Sequence, residues 1–494
     1  MASETAGGQL TLGSAAGKWV VTAAVLGSGI ASLDATVVNI ALPALGNDLH
    51  AAFDGLQWTV SGYTLTLASL ILLGGSLGDR FGRRRIFIVG TLWFAAASAL
   101  CALAPTVEVL VIARALEGIG GALLTPGSLA MIQASFAETD RGKAIGAWSG
   151  FGGIATAIGP FIGGFLVAGP GWRWVFLINL PVALLVVVLA GQHVPESRDP
   201  NAPSHLDVAG AALGALGLGG LTYGLISAGS GWSIGGMAVL VLGIVALVAF
   251  VMNERRSPHP MLPPDIFRNT QFTAANLVTF VVYAALGGLF FFLVVDLQVV
   301  AGFSPTLAGA AMLPVTVIML LLSAQAGALA TRIGPRLPMT AGPIIGAAGV
   351  LLLLRIGPAA AYVTDVLPAV VLFGLGLSLL VAPLTTTVLA AAPAEHAGVA
   401  SGVNNAVARA ASLLAVAILP LLAGISGDDY QNAARFNAGF HVATIVCAGL
   451  MLAGGLLAAL AIRNPESSAA TPERHRKLTC AVDGPPLQPV RSAD

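Results

Sequence analysis

Long apolar runs separated by short polar stretches constrain this chain more than any other feature of its sequence. The segments 18–42, 271–299 and 436–462, for example, each contain at most two charged residues. About 20 consecutive apolar residues are enough to cross the hydrocarbon core of a bilayer. Over the whole chain 56% of residues are hydrophobic and 9% are charged, a balance far from that of a water-soluble domain. The sequence therefore predicts a protein that crosses a membrane many times.

Apolar windows between charged residues, glycines and prolines predict fourteen membrane spans. They lie near 18–42, 56–77, 86–104, 107–131, 141–168, 173–190, 207–229, 233–252, 271–299, 305–328, 338–357, 364–391, 397–424 and 436–462. The N-terminal region lacks the basic stretch, short apolar segment and cleavage site of a secretory signal. We therefore expect the first span to remain in the mature protein.

Basic residues are concentrated in the loops on one side of the predicted membrane. With both termini on that side, its loops contain Arg80, Arg83, Arg84, Arg85, Arg141, Lys143, Arg198, Arg255, Arg256, Arg268, Arg332 and Arg336. The opposite loops contain Arg173 and Arg435. Short basic loops stay in the cytoplasm, so we expect both termini to be cytoplasmic. The polar segments 1–17 and 463–494 are then cytoplasmic tails, and the second is expected to be disordered.

Two segments of the chain repeat at equivalent positions. Gly75–Arg84, with the sequence GSLGDRFGRR, ends the second span, and Gly327–Arg336, with the sequence GALATRIGPR, ends the tenth. Both close a span on the cytoplasmic side, which indicates a parallel repeat of two half-molecules. This organisation divides the chain into an N-terminal six-helix bundle at 18–190, a linker with two extra spans at 191–270, and a C-terminal six-helix bundle at 271–462.

The first repeated segment resembles the loop motif between the second and third helices of the major facilitator superfamily. Four further segments resemble motifs of its fourteen-helix drug:proton antiporter family: Leu33–Pro43, Arg114–Gly120, Gly159–Gly164 and Trp172–Pro181. Together the resemblance extends over about 18–462. It implies an all-α polytopic membrane protein with the major facilitator fold, in which two six-helix bundles and two inserted helices surround a cavity that opens alternately to either side.

Ionisable residues at membrane depth are the strongest candidates for a functional site, because they are costly there and usually face a cavity or a partner. Asp34 lies about 13 Å into the first span, and Arg114 and Glu117 lie about 10 and 15 Å into the fourth. Arg114 and Glu117 share one helical face, so the guanidinium can pair with either carboxylate. The grouping predicts a site at which proton and substrate compete, or else a structural pair that joins the two spans.

Four other residues carry more open interpretations. Glu117, where the family more often has glutamine, either adds a second proton site or hydrogen-bonds to nearby backbone. The resemblance implies that Asn39 belongs to the same site. Asp296, about three residues from the outer end of the ninth span, either recruits cations or is a hydrated carboxylate at the interface. Arg409, about 18 Å into the thirteenth span, either faces a cavity or binds backbone carbonyls.

Two motifs are candidates for conformational control. The resemblance implies gating by Gly75, Asp79, Arg80, Gly82, Arg83 and Arg84, with Asp79 accepting from a helix N-terminus of the other half when the cytoplasmic side is closed. The alternative is that these arginines only set topology. Gly159, Pro160, Gly163 and Gly164 permit close helix packing and a kink, and the resemblance associates them with exporters.

These observations predict a proton-coupled antiporter that exports hydrophobic or amphipathic drugs or antibiotics, sited as a monomer in a bacterial inner membrane. The alternatives are a dedicated exporter of one host-made metabolite and, against the fifth-span motif, a proton-coupled nutrient importer. We expect no enzymatic activity, since no cluster of nucleophile, base or metal ligands stands out. No cofactor, metal or nucleic acid is implied: the formal net charge is zero and no phosphate-binding loop is present.

Overall fold

The computed structural model describes residues 10–200, 206–258, 260–392 and 397–464. Within these ranges the chain is helical, apart from loops and a single backbone pairing of Leu10 with Phe136. The predicted disordered tail lies outside the described residues except for its first two positions. Residues 1–9 of the predicted N-terminal tail also lie outside the described residues.

Fourteen helical segments follow one another along the described chain. They are α1 (Ala15–Leu49), α2 (Phe53–Phe81), α3 (Arg83–Ala102), α4 (Val107–Ser135), α5 (Glu138–Ala168), α6 (Trp174–His193), α7 (Val208–Gly229), α8 (Ile234–Arg256), α9 (Thr270–Val299), α10 (Pro305–Ile333), α11 (Arg336–Arg355), α12 (Tyr362–Ala390), α13 (Ala397–Ala423) and α14 (Ala433–Ala461). Within lipid, backbone N–H and C=O groups must be satisfied inside the segment, which an unbroken helix achieves.

Polar residues mark where many of these helices begin. A serine, threonine, aspartate or asparagine side chain accepts from a first-turn amide at Ser14, Thr106, Asp207, Ser233, Asn269, Ser304 and Asn432. Such caps satisfy amides that have no partner inside the helix. Apolar spans therefore start at definite residues of the sequence.

The predicted count of fourteen spans is not confirmed. In the described ranges twelve of the helical segments are long and apolar enough to cross a membrane, and α4 and α5 are not among them. α4 carries Glu108, Arg114 and Glu117 in its first three turns. In α5 several side chains between 149 and 157 lie outside the described residues, and the apolar stretch that follows them is Ile158–Ala168.

The helices pack as two groups with a pair between them. In the first group α1 packs on α5, and α4 packs on both α2 and α3. In the second group α9 packs on α13 and α14, and α12 packs on α10 and α11. The helices α7 and α8 pack on each other, and α7 lies against α2 and α13. The pair therefore bridges one helix from each group.

The two repeated segments have matching local structure. Gly82 and Gly334 both adopt positive φ, 114° and 86°. In the first copy the amide of Arg84 donates to Glu196 Oε1 at 3.1 Å, and in the second the amide of Arg336 donates to Asn464 Oδ1 at 3.1 Å. In each copy, the acceptor lies three residues beyond the last helix of its group. The repeat read from the sequence therefore extends to the residues that cap it.

The two groups meet at the end of the molecule that contains the α1–α2 turn, which we call the closed end. Phe53, at the start of α2, lies against the rings of Phe291, Phe292, Tyr430 and Phe436, with centroid distances of 5.5–6.2 Å. All five side chains are buried. This aromatic cluster excludes water from the junction between the groups.

Hydrogen bonds join the groups at the same end. Gln57 Nε2 donates to the carbonyl of Val416 at 2.9 Å, and the Tyr430 hydroxyl donates to the carbonyl of Ala51 at 2.8 Å. Gln298 donates to the carbonyl of Ile40 at 3.1 Å. Both partners in each bond come from different groups, so the closed end is fixed by polar as well as aromatic contacts.

At the opposite end the first turns of α5 and the last turn of α10 carry exposed positions. In the first turns of α5, a Cβ added at Gly142 or Gly146 would meet no atom within 4 Å. The last residues of α10, Thr331, Arg332 and Ile333, are exposed. These exposed positions on α5 and α10 lie at an end to which the sequence predicted that the cavity between the groups opens in turn, and we call this predicted cavity the cleft.

Candidate functional site

Three charged side chains meet inside the first group of helices. Asp34 of α1 and Arg114 and Glu117 of α4 are 0%, 1% and 0% exposed. One guanidinium nitrogen, Arg114 Nη1, donates to Asp34 Oδ2 at 2.5 Å and to Glu117 Oε2 at 2.6 Å. The three-residue spacing on α4 brings Glu117 back to the guanidinium, and the packing of α1 beside α4 supplies Asp34. We refer to these three residues as the buried cluster.

Neighbouring helices hold the guanidinium in place. Arg114 Nε donates to the carbonyl of Thr59 on α2 at 3.2 Å, and the guanidinium carbon lies 4.4 Å from the ring centroid of Tyr63. The Tyr63 hydroxyl in turn donates to the carbonyl of Ala31 at 3.2 Å. A desolvated cation over an aromatic face is stabilised by the ring quadrupole.

The carboxyl groups have partners that the sequence did not identify. Asn179 of α6 donates to Asp34 Oδ1 at 3.3 Å and to the Ser98 hydroxyl of α3 at 3.0 Å. The thiol of Cys101 lies 3.4 Å from Glu117 Oε2. Asn179 belongs to the motif Trp172–Pro181, and that motif was the available signal. Nothing in the spacing of Ser98 or Cys101 pointed to the cluster.

The cluster has an unbalanced charge when all its groups are ionised. One guanidinium faces two carboxylates, and Glu117 Oε1 has no hydrogen-bond partner among the described residues. An uncompensated charge at such a buried position costs several kcal/mol. One additional proton would neutralise the cluster. Chemically, then, the arrangement is suited to gaining and losing a proton.

Asn39 and Arg409 are not hydrogen-bond partners of the buried cluster among the described residues. Asn39 is half-buried, and its Oδ1 has no hydrogen-bond partner in the described ranges. Arg409 of α13 is also half-buried, and it lies close enough to Tyr63 of α2 and Tyr283 of α9 to interact electrostatically with both.

Asp296 is more deeply buried than its place near the end of the ninth predicted span suggested. It lies three residues before the end of α9, but it is 0% exposed, and neither carboxyl oxygen has a hydrogen-bond partner among the described residues. A hydrated carboxylate at the interface is therefore wrong for this conformation. Phe292 and Val299 lie on the same helical face as Asp296. Phe292 belongs to the closed-end aromatic cluster, and Val299 lines a small pocket together with Pro43 and Asn47 of α1. In this conformation Asp296 is therefore out of contact with water.

The predicted gating residues form contacts within their own group. Arg83 Nε donates to Asp79 Oδ1 at 2.8 Å, and the Arg84 guanidinium donates to the carbonyl of Val194 at 3.0 Å. Gly82 needs its positive φ, and a Cβ there would also crowd Glu196. Arg80 is exposed beside Phe81, and Gly75 lies next to Pro126 of α4. In this conformation Asp79 is paired with Arg83 rather than with the other group.

The small residues of the fifth-span motif contact two different helices. A Cβ at Gly159 or Gly163 would crowd Thr36 or Val37 of α1. A Cβ at Gly164 would collide with the carbonyl of Pro305 on α10, and a Cβ at Gly309 of α10 would collide with the carbonyl of Pro160 on α5. These glycines allow backbone approach both within the first group and across the closed end.

The fold defines a multi-pass membrane protein in which two related groups of helices meet at a closed end, with a charged cluster buried in the first group. The sequence profile of the Major Facilitator Superfamily matches residues 24–416. The chain therefore belongs to the Major Facilitator Superfamily, as its motifs predicted.

Relatives of known name cover most of the chain. The puromycin resistance protein of Streptomyces alboniger is 37% identical over 465 residues, 90% of this chain and 92% of that protein. The multidrug resistance protein Stp of Mycobacterium tuberculosis is 36% identical over 402 residues, 80% of this chain and 73% of that protein. The crystal structure of the POT family transporter PepTSo superposes with a TM-score of 0.66 at 15% identity, covering 89% of this chain and 97% of that one. At that identity the likeness concerns the fold alone.

Proposed function

We propose that this protein is a proton-coupled antiporter that exports hydrophobic or amphipathic drugs or antibiotics. The observation that carries the proposal is the buried cluster, in which one guanidinium faces two carboxyl groups that water does not reach. The names of its relatives, a puromycin resistance protein and a multidrug resistance protein, support export of such compounds.

Coupling follows from the charge balance of the cluster. A poorly hydrated carboxyl group retains its proton, whereas a nearby cation or incoming water favours its ionised form. Substrate entering the cleft next to Tyr63 and Arg409 changes the environment of the Arg114 guanidinium, because the Tyr63 ring lies directly against it. Proton and substrate therefore compete for the same state of the protein, and antiport results from that competition.

Asp296 acts as a second protonatable group at the closed end. Burial without a partner is tolerated by a neutral carboxyl group and strongly opposed by a charged one. The closed conformation thus takes up a proton at Asp296, and opening of this end releases it. Asn39 lines the path between the cluster and this end, as its place in the first-span motif implies.

The proposal includes the orientation of the chain in the membrane and its number of spans. We place both termini in the cytoplasm of a bacterium and count α4 and α5 as spans, which makes fourteen. The closed end then faces outward and the cleft opens to the cytoplasm. The protein works as a monomer, in which bundles 18–190 and 271–462 rock and expose the cleft to either side in turn. When the cytoplasmic side closes, Asp79 leaves Arg83 and accepts a hydrogen bond from a helix N-terminus of the other bundle.

Inverted membrane vesicles test this function. We expect a pH gradient imposed without ATP to drive uptake of rhodamine, ethidium or a labelled antibiotic, and expect Asp34→Asn to abolish it. A matched control is Asp265→Asn, because Asp265 is an exposed loop carboxylate that pairs with Arg268. Uptake that persists in Asp34→Asn, or that is driven by ATP and not by the pH gradient, would contradict the proposal.

A dedicated exporter of one compound is the second candidate. It is favoured by the relative that is named for resistance to a single antibiotic, puromycin. The two candidates share the cluster and differ in breadth. Export of several unrelated compounds by the vesicles supports the multidrug function, whereas export of one compound out of a chemically diverse panel supports the dedicated one.

A further inference from the structure

The two carboxyl groups of the buried cluster differ in the partners of their oxygens. The proposed antiport needs one exchangeable proton at this cluster, and both Asp34 and Glu117 are fully buried there. A proton shared by two interacting carboxyl groups belongs to the pair unless their surroundings distinguish them. The donors and acceptors around each oxygen therefore decide where the proton resides.

Both hydrogen bonds of Asp34 come from donors. Arg114 Nη1 donates to its Oδ2 at 2.5 Å, and Asn179 Nδ2 donates to its Oδ1 at 3.3 Å. A guanidinium and an amide nitrogen donate hydrogen bonds and do not accept them. Hydrogen bonds donated to a carboxylate favour its ionised form. The surroundings of Asp34 therefore favour an anion.

The two oxygens of Glu117 have unlike surroundings. Arg114 Nη1 donates to Oε2 at 2.6 Å, and the Cys101 thiol lies 3.4 Å from the same oxygen. Oε1 is buried and accepts no hydrogen bond from the described residues. Oε2 thus has the donors that suit the carbonyl oxygen of a neutral carboxyl group, and Oε1 is the oxygen that can carry its hydrogen.

The Ser98 hydroxyl interacts with the Glu117 carboxyl group, and its own hydrogen is already in use. Ser98 donates to the carbonyl of Phe176 at 3.0 Å, and a carbonyl oxygen can only accept. Asn179 Nδ2 donates to the Ser98 oxygen at 3.0 Å. A hydroxyl has one hydrogen and two acceptor lone pairs, so one lone pair of Ser98 remains for Glu117. Only the protonated form of Glu117 offers it a hydrogen.

We propose that Glu117 carries the exchangeable proton, on Oε1, and that Asp34 remains the anion paired with Arg114. The inference deepens the proposed function, because it names the group that binds the coupling proton. Release breaks the Oε1–H bond, leaves the electron pair on Glu117 and passes the proton to water that reaches the cluster when the protein changes conformation. The cluster then changes from neutral to a single negative charge, since one guanidinium faces two carboxylates.

Asp34 and Glu117 have different roles in one charge balance. In Asp34→Asn, Glu117 is the remaining partner of Arg114, which holds it ionised, so no proton is exchanged. In Glu117→Gln, Arg114 and Asp34 neutralise each other and the cluster needs no proton. Either variant therefore loses coupling, and only direct observation of the proton distinguishes the two residues.

Infrared spectroscopy of the purified full-length protein observes this proton, because a protonated carboxyl group has a carbonyl stretching band that a carboxylate lacks. Asp296→Asn and Glu254→Gln are introduced together, so that Asp34 and Glu117 are the buried acidic residues that remain among those described. Cell-free synthesis places a heavy carbon isotope in the side-chain carboxyl groups of either glutamate or aspartate. We expect the acid band to shift with labelled glutamate, to be unaffected by labelled aspartate, and to disappear as the pH rises.

A second variant tests the acceptor and leaves Glu117 in place. Ser98→Ala removes the oxygen that accepts from Glu117, so the glutamate band should move to higher frequency. The matched control is Ser128→Ala. Ser128 is also buried, and its hydroxyl donates to the carbonyl of Leu124 in its own helix at 3.2 Å. The control should leave the band in place.

An acid band that shifts with labelled aspartate would overturn the assignment of the proton to Glu117. So would a band that Ser98→Ala leaves unchanged, or the absence of any acid band. The spectra do not depend on transport. If the band belongs to glutamate but a pH gradient drives no uptake into vesicles, the proposed antiport fails and the assignment stands. If uptake is proton-driven and the band belongs to aspartate, the antiport stands and the assignment fails.

Discussion

Asp34, Arg114 and Glu117 act as one unit because a single guanidinium nitrogen serves both carboxylates. Removal of any member changes the charge that the other two experience in a site without water. The effect of Arg114 is therefore distinct from that of an exposed arginine, whose ion pairs contribute about 0–1 kcal/mol. Under the proposed function, stability and proton binding depend on the same three side chains.

Arg114→Ala should destabilise the protein by about 3–5 kcal/mol, because it leaves two carboxyl groups buried without a cation. Arg114→Lys should recover part of the loss, since an ammonium restores the charge but not the bond to Thr59 or the contact with Tyr63. Thermal unfolding in detergent measures both. The control is Arg268→Ala, whose side chain is 85% exposed; equal destabilisation by Arg114→Ala and Arg268→Ala would contradict the account.

Asp296→Asn should make closure of the closed end insensitive to pH. In the wild type the closed form binds a proton at Asp296 that the open form releases, so its population should fall as pH rises. The amide needs no proton, and the variant should stay closed at high pH. Spin labels at the exposed positions Asp54 and Asp428, on opposite sides of this junction, report the distance by pulsed electron resonance. Identical pH dependence in variant and wild type would refute the role of Asp296.

At the scale of the element, α5 shows how small residues connect the two groups. Its glycines at 159 and 163 contact α1, while Gly164 and Pro160 contact the start of α10. The motif therefore has two packing surfaces on one helix. Motion of α10 relative to α5 must break the second surface and preserve the first.

Gly164→Val should prevent full closure, because its side chain would collide with the carbonyl of Pro305. Overpacking typically costs about 1–3 kcal/mol, which is a loss of roughly ten- to hundredfold in the closed population. The label pair at 54 and 428 should report a longer distance, and transport should fall. Gly146→Val, on the same helix where no atom lies within 4 Å, is the control. An unchanged distance in Gly164→Val would show that this contact does not govern closure.

The sequence predicted elements better than it predicted contacts. Apolar windows located the helical segments, although within the described residues α4 and α5 are not among those long and apolar enough to cross a membrane. The meeting of Asp34 with Arg114 followed from shared depth and helical spacing. Asn179, Ser98 and Cys101 did not, because they come from α3 and α6, and the rotation of those helices is set by packing that spacing does not encode. Asp296 was misjudged because its exposure was inferred from its depth along one helix, whereas burial depends on how the helices pack.

At the scale of the whole molecule, two related halves share a closed end and diverge at the other. The repeated segments predicted this symmetry, down to the glycines at 82 and 334. The capping residues Glu196 and Asn464 could not be predicted, since each lies in a loop more than a hundred residues away from its partner. The inserted pair breaks the symmetry by joining α2 to α13 beside the cleft.

The most direct test of the account is proton release by the purified protein. In weakly buffered detergent solution, addition of a transported drug should acidify the medium as the buried cluster loses a proton. Asp34→Asn should release none, and Asp265→Asn should match the wild type. If the wild type binds drug without releasing protons, or if Asp34→Asn releases as many, then the buried cluster is a structural ion pair and not the site of coupling.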